Sequence, residues 1–434
     1  MVNEYLKSEC LRKITIYTAS AIVIANMIGT GVFTSVGFQL SSVQNTWSIL
    51  LLWLLGGLMA MFGAFAYAEL GTHFKESGGD YIYLSRVFHP FLGYLSAWAG
   101  LTVGFSAPVA LAAMAFTKYL APFGLQGNRW LAIAVILAIG GMHSFTIRHS
   151  SRLQNYSTFI KILFIVCLII IGIAVTGDPH NAINYGDSWK KEISQPGFAV
   201  SMVYVSFAYT GWNAAAYIAD EIDTPQRNIP KALIGSTLFV SIVYLLFQFV
   251  LLKNATVPQL VGKEEATFIA FDNLLGTAGG KWVSVFIAVQ LVATISSYLW
   301  IGPRVTMAMS SENQLWKPFS KKNKHGIPVA ATWLHVFISI GLTLTGSFES
   351  ILLYAGFVLQ LMASLTVATS LFIVKKPGTF RTPFKPILQV IFLVFNLWVS
   401  IFTVIDRPVE SLIGVVILLT GGVIYYFDRP VVLG

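Results

Sequence analysis

Two clusters of small and hydroxyl-bearing residues sit inside long apolar runs, where a regular helix would offer a ligand nothing. The first is Gly29-Thr30-Gly31 within TIYTASAIVIANMIGTGVFTSVGFQL; the second is Tyr209-Thr210-Gly211-Trp212-Asn213 within GFAVSMVYVSFAYTGWNAAAYIADEI. Glycine weakens a helix by about 1 kcal/mol relative to alanine. Each cluster therefore either lets two helices pack closely through small residues or interrupts the helix. An interruption exposes chemistry: the half-helix after it presents unpaired N–H groups to an anion, and the carbonyls ending the half-helix before it accept from a cation. A zwitterion, whose carboxylate and ammonium need opposite partners close together, suits such a pair. A third feature is a lone charge, Lys161, in the apolar stretch STFIKILFIV.

The elements that must position these residues follow from composition. Of 434 residues, 56% are hydrophobic, 14% aromatic and only 11% charged, against about 25% charged in ordinary soluble domains. So few charges cannot coat a water-soluble surface, and the aromatic content is opposite to that of disordered chains. The chain reads as an all-α polytopic membrane protein. A crossing takes about 20 apolar residues. Such runs fall at about 14–42, 47–71, 90–118, 130–148, 153–176, 197–220, 229–252, 281–306, 327–346, 350–374, 386–405 and 410–427, giving about 12 transmembrane spans. None alternates as barrel strands do. The glycine clusters lie in spans 1 and 6. Broken backbone in hydrocarbon is tolerated only where it lines a cavity or faces protein, and breaks at corresponding places in two halves point to inverted repeats around a site. Spans 1–5 (about 14–176) and 6–10 (about 197–374) then form two inverted five-helix repeats of a core over 1–376, with spans 11 and 12 in 377–434.

The net charge of +9 reports orientation rather than a nucleic-acid partner. With the N-terminus inside, 19 basic residues face the cytoplasm, among them Lys7, Arg12, Lys13, Lys75, Arg86, Arg148, Arg152, Arg304, Lys324, Lys375, Lys385 and Arg429. Eight face outward: Lys118, Arg129, Lys190, Lys191, Lys253, Lys263, Lys281 and Arg407. Lys161 alone is left within a span. The positive-inside rule puts both termini in the cytoplasm, and the expected location is the plasma (inner) membrane. No cleavable signal peptide is visible, because MVNEYLKSECLRK is polar and runs straight into a long span. Cys10 and Cys167 are not expected to pair. There is no GxxxxGK[ST] loop and no His/Cys/carboxylate cluster at metal-ligand spacing. ATP-driven transport, enzyme activity, metals and cofactors are therefore not expected.

At the two clusters the chain resembles the amino acid–polyamine–organocation superfamily, and within it the L-type amino acid transporter branch. The resemblance rests on Ile28-Gly29-Thr30-Gly31-Val32-Phe33 and on Phe207-Ala208-Tyr209-Thr210-Gly211-Trp212-Asn213. It continues through Asp220-Glu221-Ile222-Asp223-Thr224-Pro225-Gln226-Arg227-Asn228-Ile229-Pro230, Gly302-Pro303-Arg304 and Gly326-Ile327-Pro328, in order across most of the chain. It implies the bacterial leucine-transporter-like fold with two C-terminal helices appended, working by alternating access. It also implies a substrate site. The carboxylate would meet N–H groups of Thr30, Gly31 and Val32. The ammonium would meet carbonyls of Met27, Ile28, Phe207, Ala208 and Thr210. Phe207 would be an aromatic lid and Asn213 a nearby side-chain amide, with Gly29, Tyr209 and Gly211 completing the breaks; Trp212 either packs or contributes. Thr210 departs from the family, where many L-type members carry glycine, and is expected to narrow the pocket.

Lys161 lies about nine residues past Arg152, roughly 13 Å into the membrane, where a lysine costs about 2.5–3.5 kcal/mol. Either it snorkels to the interface, or its ammonium replaces a bound sodium ion and ties span 5 to the break in span 1 and to Ser296 and Ser297 of span 8. Sodium-independent relatives carry a lysine there, so the resemblance implies sodium-independent transport. Glu69, Asp220, Glu221 and Asp223 are expected to pair with Arg86, Arg227 or Arg304 as an inner gate. His143, His335, Gln248, Gln290, Gln360 and Asn396 are expected to be structural hydrogen-bonding groups. Mammalian L-type members bind a heavy subunit through a cysteine between spans 3 and 4. The segment KYLAPFGLQGNRW has none, so no disulfide-linked heavy subunit is expected, and the chain is expected to act as a monomer in the bilayer. The expected function is secondary active transport of L-amino acids, as an exchanger or coupled to protons. No acidic residue lies in mid-membrane around either break, which favours neutral substrates. The alternatives are a cationic amino acid or polyamine transporter and a non-transporting amino acid sensor; a channel would need charged rings that are absent.

Overall fold

Long apolar segments in hydrocarbon settle into helices because a helix pairs its backbone groups internally. The computed structural model describes residues 14–125, 127–145, 151–175, 186–323, 326–374 and 376–428. Cys10, Lys7, Arg12, Lys13, Arg148, Lys324, Lys375 and Arg429 lie outside the described residues, as do both chain ends whose side of the membrane the charge distribution assigns.

The first span is two helices, α1 (Ile16–Met27) and α2 (Thr30–Gln39). Asn45 caps α3 (Thr46–Phe74) by accepting from Trp47 N at 2.9 Å. A short helix, α4 (Asp80–Val87), leads into α5 (Pro90–Ala99), which runs through a π turn at Gly100–Phe105 into α6 (Ser106–Tyr119). The chain continues with α7 (Arg129–Phe145), α8 (Ser151–Ala174) and α9 (Pro196–Ala208), then a 3₁₀ segment at Ala214–Glu221. The remainder is α10 (Pro225–Asn254), α11 (Ala266–Glu312), α12 (Val329–Thr345), α13 (Phe348–Phe372), α14 (Ile387–Asp406) and α15 (Pro408–Phe427). Among the described residues, nine helical stretches are long and apolar enough to cross a membrane, and α7, α9 and α12 are shorter apolar helices. The protein is a polytopic helical membrane protein.

Two details differ from the expected runs. The run expected at 281–306 lies within α11, which is two helical arms meeting at Gly276, whose φ +69° and ψ 174° are not helical, with the first arm starting at Ala266. Lys281, the first residue of that run, lies on the second arm, past the kink. The third span carries the π turn, where the Ser106 hydroxyl donates to Leu101 O, five residues back, at 2.7 Å.

The interruptions in the first and sixth spans are pressed together. A Cβ on Gly31 would sit 2.5 Å from Ala208 Cα, and one on Gly211 would sit 2.7 Å from the carbonyl carbon of Asn26. Gly211 is also at φ +100°, a left-handed conformation that side chains disfavour. Around this junction, α1 packs against α8 and α10, α10 against α3, and α11 against α6.

Gly211→Ala combines backbone strain of about 1–3 kcal/mol with a backbone clash. The expected result is a lowered Tm in detergent and a loss of transport. Gly235→Ala, in open space on α10, should leave both unchanged or raise the Tm.

Candidate functional site

Helix α1 ends at Met27 because Ile28 (ψ 81°) and Gly29 (φ −118°, ψ −149°) leave helical geometry. The last carbonyls of α1 and the first N–H groups of α2 then lack intrahelical partners. Neighbouring helices answer the carbonyls in turn. Lys161 Nζ on α8 donates to Ile28 O at 2.8 Å, and at 3.4 Å each to Ala25 O and the Thr294 hydroxyl of α11. The side chain is only 3% exposed; it does not snorkel. The Tyr244 hydroxyl on α10 is shared between Met27 O and, at 3.1 Å, Ala208 O. One residue thus joins both interruptions. Gln248 Nε2 donates to Val32 O at 3.1 Å, while Tyr119 and Thr267 donate to Phe33 O at 2.9 and 3.1 Å.

At the second break, Thr210 folds back, its N–H and hydroxyl both donating to Phe207 O, at 3.0 and 2.7 Å. Gly211, at φ +100°, then leaves helical geometry, and its carbonyl accepts from Ala214 N at 3.0 Å as the 3₁₀ segment begins. Tyr209 donates to Trp53 O at 3.0 Å. Trp212 packs edge-on against Tyr67, with ring centroids 4.8 Å apart.

A cavity of about 130 Å³ lies against this second break, room for several waters. Tyr209, Thr210, Gly211 and Asn213 line it, together with Trp212, Asn26 from α1, and Gly100, Gly104 and Phe105 of the π turn. Met27, Ile28, Gly29, Thr30, Gly31, Val32, Phe207 and Ala208 do not line it; they are buried where α2 meets the end of α9. The α2 N–H groups that the family resemblance assigns to a carboxylate thus face protein in this structure.

Several expected pairings are different. The α11 hydroxyl beside Lys161 is Thr294, not Ser296 or Ser297. Two residues further along a helix turn the side chain by about 200°, so Ser296 meets His143 Nε2 instead, at 2.8 Å. Glu69 pairs with Lys385 at 2.9 Å rather than with an arginine, because the segment between α13 and α14 returns over the end of α3. Arg86 pairs with Glu76 at 3.4 Å, and the Arg304 guanidinium stacks 3.8 Å over Trp300. Asp220 accepts from the Ser77 hydroxyl. His335 bridges the Ser106 and Thr306 hydroxyls at 3.0 and 2.9 Å, and Gln360 donates to Asn396 O at 3.1 Å.

An acidic residue does border the cavity, contrary to expectation. Asp80, the first residue of α4, accepts from Tyr67 OH of α3 and, at 2.9 Å, from Tyr217 OH of the 3₁₀ segment, and it lines the cavity. The loop before it is held by Gly78 N donating to Tyr217 O at 3.2 Å. Burial pushes the Asp80 carboxyl up to about 6, with the Tyr67, Tyr217 and Thr366 hydroxyls pulling the other way. The Gly78-Gly79 pair, at φ +131° and +52°, signals a reversal in the sequence, but not which wall the next side chain meets.

The model of the amino acid permease family matches residues 14–427. The chain belongs to that family: it is a membrane transporter of amino acids and not an enzyme. It is 27% identical to the serine/threonine exchanger SteT of Bacillus subtilis, over 96% of both chains. It is 29% identical to the human cystine/glutamate transporter, over 97% of this chain and 86% of that one. To the mouse large neutral amino acids transporter small subunit 2 it is 27% identical, over 96% of this chain and 80% of the relative.

Removing the Tyr244 hydroxyl takes its donor from Ala208 O in a buried place and leaves Met27 O with the Gly29 N–H at 2.8 Å. Tyr244→Phe is expected to cost about 1–3 kcal/mol, read as a lower Tm of the detergent-solubilised protein. An unchanged Tm would show that the shared hydroxyl does not hold the breaks together.

Proposed function

We propose that the protein exchanges L-amino acids across the plasma membrane by alternating access, without sodium. The observation that carries the proposal is the pair of helix interruptions set back to back beside a cavity, with a buried ammonium held at Ile28 O. Free N–H groups at the start of α2 (Thr30, Gly31, Val32) suit a carboxylate. A carbonyl accepts two hydrogen bonds, so Ile28, Ala208 and Thr210 keep acceptor capacity for an ammonium, whereas Met27 O and Phe207 O, each with two donors already, join them only by releasing one. The α2 donors become reachable when α2 and the end of α9 separate at Gly31 and Ala208, with Phe207 as the residue that covers the entering substrate. Thr210 and Asn213 meet the substrate from the cavity side, where the apolar Met59, Leu359, Met362 and Phe392 suit neutral side chains.

Lys161 takes the part of a coupling ion in this scheme. Its ammonium, on two α1 carbonyls and the Thr294 hydroxyl, occupies the kind of oxygen cage a monovalent cation would need. Exchange is favoured over proton-driven uptake by the SteT relative, whose name describes an exchanger. To the same reading belong two inverted five-helix repeats within 1–376, helices 11 and 12 in 377–434, and both termini in the cytoplasm. The five-span interval between the breaks and the basic-residue bias support them. The missing cysteine between α6 and α7 supports action as a monomer without a disulfide-linked heavy subunit.

The test is uptake of labelled L-amino acids into proteoliposomes with and without internal amino acid. Uptake should depend on internal substrate and persist when choline replaces sodium. Lys161→Ala removes charge-assisted hydrogen bonds worth about 1.5–3 kcal/mol, so uptake should fall about ten- to hundredfold. Collapse in choline overturns sodium independence, and full activity of Lys161→Ala removes the lysine from the mechanism. Uptake indifferent to internal substrate overturns exchange, and binding without any uptake replaces transport by sensing.

A further inference from the structure

We propose that Asp80 sets the substrate charge the cavity accepts: ionised, it admits a basic side chain, and protonated, it favours a neutral one. The inference rests on the amino acid transport reading above and defines the substrate class of the same cavity. Asp80 is the one charged residue among those lining the cavity. Among the described residues, no lysine, arginine or histidine forms an ion pair with it. Its oxygens accept from the Tyr67 and Tyr217 hydroxyls, which hold a carboxylate in place without neutralising it. A buried charge without a counter-charge is costly, and either a bound cation or a proton relieves that cost.

A second feature of the wall has the same preference. Gln360 lines the cavity, and its Oε1 is buried with no donor, while its Nε2 is already committed to Asn396 O. An alkylammonium or guanidinium carries donors and no acceptor, which is what a carboxylate and an amide oxygen short of a donor each call for. Met59, Leu359 and Phe392 are apolar cover for the methylenes of such a side chain, in the way long basic residues bury their stems.

The groups facing Asp80 are Tyr67 from α3, Tyr83 from its own helix, Tyr217 from the 3₁₀ segment and Thr366 from α13. None is a cation, and tyrosine ordinarily titrates near 10, so Asp80 is the member of this set that changes charge between pH 5 and 8. Burial raises its carboxyl to about 6. The ionised share then grows from about a tenth at pH 5 to nearly all at pH 7.5, roughly tenfold.

The experiment uses the full chain in proteoliposomes preloaded with amino acid, at equal pH on both sides. Uptake of L-arginine, which stays cationic throughout, and of L-leucine is measured at pH 5 and pH 7.5. The arginine-to-leucine ratio should rise about tenfold with pH in the wild type and rise likewise in Asp80→Glu; in Asp80→Asn it should be low and flat. Inhibition of wild-type leucine uptake by arginine should strengthen with pH in step, a measurement that needs no variant to fold. The proposal is overturned by a wild-type ratio indifferent to pH, by Asp80→Asn keeping the pH dependence, or by arginine that neither enters nor competes while leucine is transported. If no amino acid is transported at all, the transport reading fails first and this inference falls with it.

Discussion

A helix that breaks inside hydrocarbon strands backbone groups beyond the reach of water, and each stranded group costs several kcal/mol. Much of the architecture around the two interruptions can be derived from that cost. The carbonyls freed at Ile28, Met27 and Ala208 are met by Lys161 and Tyr244, and Val32 O is met by Gln248. These donors stand on α8 and α10, with Thr294 of α11 completing the group at Lys161. The breaks therefore dictate where three further helices can pack. Contact at glycine, Gly31 on Ala208 and Gly211 on Asn26, brings the two interruptions close enough for one tyrosine hydroxyl to serve both.

Two opposite charges lie near this junction, and neither is neutralised by an ion pair among the described residues. Lys161 is solvated by carbonyls and a hydroxyl, Asp80 by tyrosine hydroxyls. Joining them as a salt bridge would bring little stability, since desolvation of buried pairs roughly offsets their attraction. Keeping them apart has a different consequence. A charge held by dipoles retains its field, so each can still respond to a further charge, a substrate or a proton, that a closed ion pair would ignore. Their surroundings divide the roles: Lys161 is sealed among helices, whereas Asp80 borders the cavity.

What the sequence made legible was whatever lies along one helix. The breaks are visible because glycines interrupt an apolar run, and Lys161 because a charge does. The orientation-setting lysines and arginines stand out for the same reason. What stayed hidden depends on helices meeting far apart in the chain. Tyr244 looks like an ordinary interior residue of α10 until the carbonyls of α1 and α9 are placed beside it, and Gln248, expected to bond across helices, has no readable partner until Val32 O of α2 is placed beside it. Asp80 looks like a helix-start acid in a polar loop until that loop folds back on Tyr217. Choosing Thr294 over Ser296 and Ser297 requires the rotation of α11, which apolar composition on all sides does not encode. Glu69 found Lys385 instead of a nearby arginine because the chain returns over α3 more than 300 residues later.

The same geometry limits how the site can move. At the break, α2 meets α9 through Gly31 and Ala208, a contact between backbone and one methyl, whereas at the other end Phe38 of α2 stacks on Tyr204 of α9 with ring centroids 5.9 Å apart, so the two surfaces are least interlocked at the break itself. Lys161 holds α1 to α8 and α11 by charge-assisted hydrogen bonds, the stronger kind, whereas α2 is tied through neutral donors to the carbonyls of Val32 and Phe33. The weaker restraint thus falls on the half-helix whose N–H groups the proposed function assigns to a substrate carboxylate. On the opposite wall, the π turn of the third span replaces a bulky helical face with Gly100 and Gly104, leaving space in front of Thr210. Under the proposed function, an entering amino acid finds room at the second break first, and its carboxylate reaches the first only as Gly31 and Ala208 separate. That sequence ties substrate binding to the displacement of a half-helix, which a rigid cavity of the same lining could not do.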